Sequence, residues 1–208
     1  DWIITRPVMD AARDFYEQAG VQPAYLKYVT HVPAGHGFPT AAAGNRCQAS
    51  AEPFINDCGF DLAGDMLNHL HGPLTPPGEM DQARLFTFDQ IEFLANPVPH
   101  GLADFGFVYI PGECTGAGAA ACRLHIAFAG CKQTYAQIGE QFVRNAGYNG
   151  WAETNRLVIL YPQAHISPDN PNGCWDWWGY DDANYYMQSG RQMAAIGRMT
   201  ARLGVPLR

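Results

Sequence analysis

Val8, Ala12, Phe15 and Ala19 recur on one helical face, with Pro7 in the first turn and Gly20 just past the end. The pattern predicts a helix over residues 7–19. The β-branched and aromatic run Ala24 to Val29 predicts a strand. A loop follows from Thr30 to Thr40, where two prolines and two glycines surround His36. A second helix is expected from Phe60 to Leu70, carried by Leu62, Met66, Leu67 and Leu70, with Gly72 beyond it. The Pro-Leu-Thr-Pro-Pro-Gly stretch over 73–78 is a loop and the best place for an internal break. Three strand-like runs come next, Phe105 to Ile110, Arg123 to Phe128 and Leu157 to Tyr161. The last is apolar throughout, as a strand buried on both faces should be. A helix from Tyr135 to Ala146, with Ile138 and Phe142 inward, separates the second and third runs. A final helix runs from Ser189, read as its N-cap, to Leu203, with Met193, Ile196, Thr200 and Leu203 on one face. Strands alternating with helices predict a single α/β domain over 1–208, with a parallel sheet.

The 208 residues are 47% hydrophobic, 12% aromatic and 16% charged, the balance of a folded globular chain. A net charge of −7 argues against a polyanionic partner such as nucleic acid. No run approaches the roughly 20 apolar residues that span a bilayer, and no signal-peptide pattern is present. The sequence begins at Asp1 rather than Met, as a processed protein or a piece of a longer one would. Cys47, Cys58, Cys114, Cys122, Cys131 and Cys174 contain no Cys-x-x-Cys pair. An even set without metal spacing, in a lysine-poor chain, favours disulfides and an oxidising compartment over buried thiols.

Metal and nucleotide chemistry find little support. His69 and His71, two apart on a predicted helix, point in different directions. The run Asn170 to Gly173 echoes a calcium loop without its leading Asp or closing Glu. His36 is different, because glycines on both sides leave its imidazole approachable, and histidine is the side chain most often used as a general base. An exposed loop histidine is the plain alternative. Asp1 is placed to orient the ring, although terminal residues commonly fray. No nucleophile accompanies them. Ser50, Ser167 and Ser189 are the three serines, and none sits in a nucleophile elbow.

Several motifs occur together: Pro33-Ala-Gly-His36-Gly-Phe-Pro-Thr40, Asn56-Asp-Cys58-Gly-Phe-Asp61 with Cys47, and Cys122-Arg-Leu-His-Ile-Ala-Phe-Ala-Gly-Cys131-Lys-Gln. Ala146-Gly-Tyr-Asn149, Leu160-Tyr-Pro-Gln163 and Asn172-Gly-Cys174-Trp-Asp-Trp-Trp-Gly-Tyr180 complete the set. Over nearly the whole chain this resembles the single-domain, circularly permuted extracellular polyhydroxybutyrate depolymerases and related esterases. The resemblance implies an α/β-hydrolase-like fold with part of its central sheet missing from this chain. It maps the catalytic acid to Asp1, the histidine to His36 and the oxyanion donor to the Cys131 N–H. The serine would lie several tens of residues before Asp1. Ala129 stands where the family typically has histidine.

The resemblance further implies ester bonds held in an aromatic-lined surface crevice, with Trp175, Trp177, Trp178 and Tyr180 as candidate walls. At least one of these tryptophans is as readily core. Of 15 possible disulfide pairings the expected one is Cys47–Cys58, Cys114–Cys122 and Cys131–Cys174. His36 is expected partly exposed, across a shallow crevice from the Cys131 amide. The resulting expectation is a secreted or periplasmic serine-type hydrolase of polyhydroxyalkanoate or its oligomers. It would need no cofactor or metal, bind neither nucleic acid nor membrane, and be inactive without the serine-bearing segment. The rival is a secreted polyester- or ligand-binding module without catalysis.

Overall fold

A computed structural model describes residues 1–95 and 101–204. The chain forms two compact units, Asp1–Leu74 with Arg144–Gly147, and Thr75–Val143 with Tyr148–Arg208.

In the first unit, α1 (Arg6–Gln18) forms where the apolar period places it. It is turned inside out. The Arg6 and Arg13 guanidinium groups lie 5.5 and 5.4 Å from the centre of the Tyr28 ring, and the Tyr28 hydroxyl donates to Asp10 at 2.9 Å. Val8 and Phe15, on the apolar side, are 55% and 66% exposed. The strand expected from Ala24 to Val29 does not form. Pro23–Tyr25 make a single 3₁₀ turn, and the residues after it have no ladder partner among the described residues. Leu26 keeps extended dihedrals, but a strand also needs a neighbour to take its N–H and C=O. β1 (Phe38–Thr40), β2 (Asn45–Arg46) and β3 (Ile55–Asp57) instead build a small parallel sheet in the order β1-β3-β2. Strands of two or three residues are too short to show a period in sequence. α2 (Leu62–His71) follows, its N-cap Asp61 accepting from the Gly64 N–H at 2.8 Å. Ala63 and Leu67 are buried, whereas Leu70 faces outward.

The second unit holds a sheet in the order β4-β5-β7-β6, from β4 (Leu85–Asp89), β5 (Phe105–Tyr109), β6 (Arg123–Ile126) and β7 (Leu157–Tyr161). Only β6 and β7 are parallel; β4 with β5 and β5 with β7 run antiparallel, so the sheet is mixed rather than parallel. β4 escaped the sequence reading because its Leu-Phe-Thr-Phe-Asp pattern belongs to a largely exposed edge. β7 is the central apolar strand that its composition predicts. The helix expected over Tyr135 to Ala146 breaks at Gly139, whose φ is +61°, into α3 (Tyr135–Ile138) and α4 (Gln141–Asn145). α5 (Tyr148–Asn155) comes next and packs on β7.

α6 (Arg191–Arg202) sets Ala195, Ile196 and Met199 against Leu102, Val108 and Leu160. Its N-cap is Gly190, not Ser189, and the first-turn amide of Arg191 is taken by Asp182 Oδ2 at 2.9 Å. Met193 points outward, 48% exposed. The disulfides are Cys47–Cys58, Cys114–Cys122 and Cys131–Cys174. Among the described residues no helix is long and apolar enough to cross a membrane.

Candidate active site

His36 sits on a bend immediately before β1, not after a strand. Backbone contacts hold it on both sides. The Gly35 N–H donates to Cys47 O at 2.8 Å, the His36 N–H to Ser50 Oγ at 2.9 Å and the Phe38 N–H to Phe54 O at 2.7 Å. Gly35 must be glycine, since a Cβ there would come within 2.2 Å of Ala49 O. Buried Asn56 fixes the strand-side loop from below, its Nδ2 donating to Cys47 O and Ala49 O at 3.2 and 2.9 Å. The Cys47–Cys58 disulfide closes the same loop.

Asp1 is tied down rather than frayed. Its nitrogen donates to Ala34 O at 3.0 Å, and its Oδ1 accepts from the Ile3 and Ile4 amides at 2.8 and 3.0 Å. Its other oxygen, Oδ2, lies 2.9 Å from His36 Nδ1. A carboxylate there favours the tautomer with the proton on Nδ1, leaving the Nε2 lone pair outward. Among the described residues Nε2 meets no hydrogen-bonding partner, and the His36 side chain is 39% exposed. The arrangement can accept a proton from an incoming hydroxyl.

In the second unit, the turn after β6 presents one open amide between two committed ones. The Gly130 N–H donates to Gln133 Oε1 at 2.8 Å, and the Lys132 N–H to Asn172 O at 2.7 Å. Between them, the Cys131 N–H has no acceptor among the described residues, and Cys131 is exposed. Lys132 adopts a φ of +63° to make the turn. Trp175 Nε1 donates to Ala129 O at 2.9 Å, and the Cys131–Cys174 disulfide fastens the turn to the tryptophan-rich segment. An amide fixed from both sides is a preorganised donor for a developing negative charge.

The aromatic segment divides in two. Trp175 packs against the core, and Tyr180 is half-buried with its hydroxyl donating to Cys174 O at 2.9 Å. Burial pushes that hydroxyl up to about 12, so it remains a neutral donor at physiological pH. Trp177 and Trp178 are the exposed pair, 68% and 42%, in edge contact at 5.1 Å between ring centres. Asp176 shapes their turn by accepting from four backbone amides, those of Gly179, Tyr180, Asp181 and Asp182, at 2.6 to 3.1 Å. Asp176→Ala is expected to cost about 2–4 kcal/mol in denaturant unfolding, because several partly buried N–H groups lose their acceptor. Asp176→Asn, with one carbonyl oxygen left, should fall between the two. Loss under 0.5 kcal/mol would contradict that organising role. The Asn170 run that echoes a calcium loop serves the backbone instead. Asn170 is fully buried, donating to His165 O and Cys174 O and accepting from the Cys174 N–H, each at 2.9 Å.

Asp1 and His36 are thus brought together within the first unit, and Cys131, Trp175, Trp177, Trp178 and Tyr180 belong to the second. Sequence reasoning missed Gln133, Asn172 and Asp176, whose roles are backbone hydrogen bonds that residue type alone does not signal.

A mixed α/β sheet, an acid–histidine pair and an open turn amide define an α/β-hydrolase-like domain. No family model matches the chain. It is 44% identical over 205 residues to poly(3-hydroxybutyrate) depolymerase of Delftia acidovorans, covering 98% of this chain and 40% of that one. It is 40% identical over 191 residues to polyhydroxybutyrate depolymerase of Talaromyces funiculosus, covering 83% of this chain and 54% of that one. The crystal structure of PHB depolymerase from Penicillium funiculosum superposes with a TM-score of 0.82 at 35% identity, covering 98% of this chain and 66% of that one. A PHB depolymerase with a serine replaced by alanine, complexed with an R3HB trimer, gives a TM-score of 0.74 at 37% identity, over 86% and 59% of the two chains. In sequence and in fold this chain is a homologue of the PHB depolymerases, and it spans about half the length of the curated relatives it matches.

Proposed function

We propose that this chain supplies the acid, the base and one oxyanion donor of a secreted serine-type ester hydrolase acting on polyhydroxyalkanoate or its oligomers. The observation that carries the reading is Asp1 Oδ2 at 2.9 Å from His36 Nδ1, with Nε2 open. In this scheme a serine outside these residues attacks the ester carbonyl. His36 takes the serine proton while Asp1 steadies the imidazolium, and the Cys131 N–H binds the oxyanion. His36 then returns the proton to the departing alcohol, and water hydrolyses the acyl-enzyme by the same route in reverse order. The serine would precede the acid and the histidine in sequence, as in an ordinary α/β-hydrolase, but the strand leading to the Cys131 donor would follow all three rather than precede the serine, which makes the fold a circular permutation. The relatives' names and the R3HB trimer in one neighbour support a polyester substrate. Three disulfides support an oxidising compartment. Val8 and Phe15, exposed on α1, and the unpaired stretch after Tyr25 suit a further segment packing there.

The test uses the complete, serine-containing protein and a soluble short-chain ester. Gln133→Ala frees the Gly130 amide and loosens the Cys131 donor. It is expected to lower kcat about 10- to 100-fold with KM little changed, a fraction of the 10²–10³ that losing such a donor costs. Unchanged kcat would remove Cys131 from the mechanism. Adsorption to polyester film without any ester turnover would instead favour a binding module built on Trp177 and Trp178.

A further inference from the structure

The segment that leads from β6 into the Cys131 turn walls a largely apolar cavity of about 290 Å³, lined by Ile126, Phe128, Trp175, Tyr185, Met193 and Ile196. Phe128 and Trp175 meet edge to face with ring centres 5.0 Å apart. The Trp175 bond to Ala129 O fixes this wall two residues before Cys131. Phe128 and Met193, 49% and 48% exposed, form its mouth.

Charged and amide side chains reach the margin, but each is engaged. Both oxygens of Asp176 accept backbone amides, and Asp182 accepts from the Arg191 and Asn184 amides at 2.9 Å each. Arg191 pairs with Asp181 at 2.7 Å. Gln192 Oε1 accepts from the Asp176 N–H at 2.8 Å, and its Nε2 donates to Gly101 O at 2.9 Å. A site whose charged and amide groups already have partners offers a ligand mainly burial rather than hydrogen bonds.

We infer that this cavity is an alkyl subsite that takes the hydrocarbon part of the acyl group whose carbonyl oxygen lies at Cys131. The inference rests on the hydrolase reading. A single water occupies about 30 Å³ of liquid, so the cavity far exceeds the needs of a methyl branch and has room for a chain of several carbons. Each methylene that enters should raise kcat/KM about fourfold, the equivalent of ~0.8 kcal/mol of burial.

The experiment compares p-nitrophenyl acetate, butyrate, hexanoate and octanoate as substrates of the complete protein. kcat/KM is expected to rise about tenfold or more from butyrate to hexanoate. Met193→Trp, which narrows the mouth, should lower the hexanoate-to-acetate ratio about tenfold, and Met193→Ala should raise the octanoate-to-butyrate ratio. A wild-type profile that is flat or falls beyond butyrate, or ratios unmoved in both variants, would overturn the subsite while leaving the hydrolase reading intact. That is also the outcome if other residues of the complete protein fill the cavity. No turnover of any of the four esters would overturn the hydrolase reading and the subsite together.

Discussion

His36→Ala in the complete, serine-containing protein is expected to lower kcat by about four orders of magnitude or more, the scale on which a hydrolase loses its general base. The fold should survive, because His36 is half-exposed and its loop is held by backbone bonds at Gly35, His36 and Phe38 that alanine keeps. What alanine removes is Nε2, the one nitrogen of the ring open to an incoming hydroxyl. Asp1→Asn should cost a comparable factor by a different route. Asparagine can keep the bonds from the Ile3 and Ile4 amides on its oxygen, but would then turn an N–H towards Nδ1 and favour the wrong tautomer. Steady-state kinetics alongside a thermal melt separate the two effects. Activity within tenfold of wild type in either variant, with the fold intact, would remove that residue from the catalytic scheme.

The second large effect concerns these 208 residues by themselves. Expressed alone, they are expected to hydrolyse a short-chain p-nitrophenyl ester at least 10³-fold more slowly than the complete protein, since the donor and base remain but the nucleophile does not. The serines they do contain are occupied or misplaced. Ser50 Oγ accepts the His36 backbone N–H at 2.9 Å, and Ser167 Oγ accepts the Asn170 N–H at 3.1 Å. Ser189 lies exposed just ahead of α6. Restoring the serine-bearing segment should raise turnover and also lower the binding of an apolar dye, as Val8 and Phe15 become covered. Equal turnover with and without the segment would contradict the division of labour.

Much of the site was legible because its motifs are local. Gly35-His36-Gly37 announces a close-packed, accessible imidazole, and the even set of cysteines announces disulfides. The apolar run at β7 and the period of α6 likewise fix their own elements. What the sequence hid depends on partners distant in the chain. The extended residues after Tyr25 have strand composition but no ladder partner among the described residues, and β4 forms because β5 lies beside it. α1 has a clear apolar stripe, yet its charged side is the one engaged by Tyr28, so periodicity named the stripe and not what it faces. The open Cys131 amide follows from Gln133 and Asn172 taking its neighbours, a pattern written in hydrogen bonds rather than residue types.

The most direct test of the account is covalent. The complete protein would be treated with a fluorophosphonate, digested, and the modified serine located by mass spectrometry. One tagged serine is expected, outside the 208 residues, with tagging abolished by His36→Ala. A tag on Ser50, Ser167 or Ser189, or labelling that persists without His36, would contradict it.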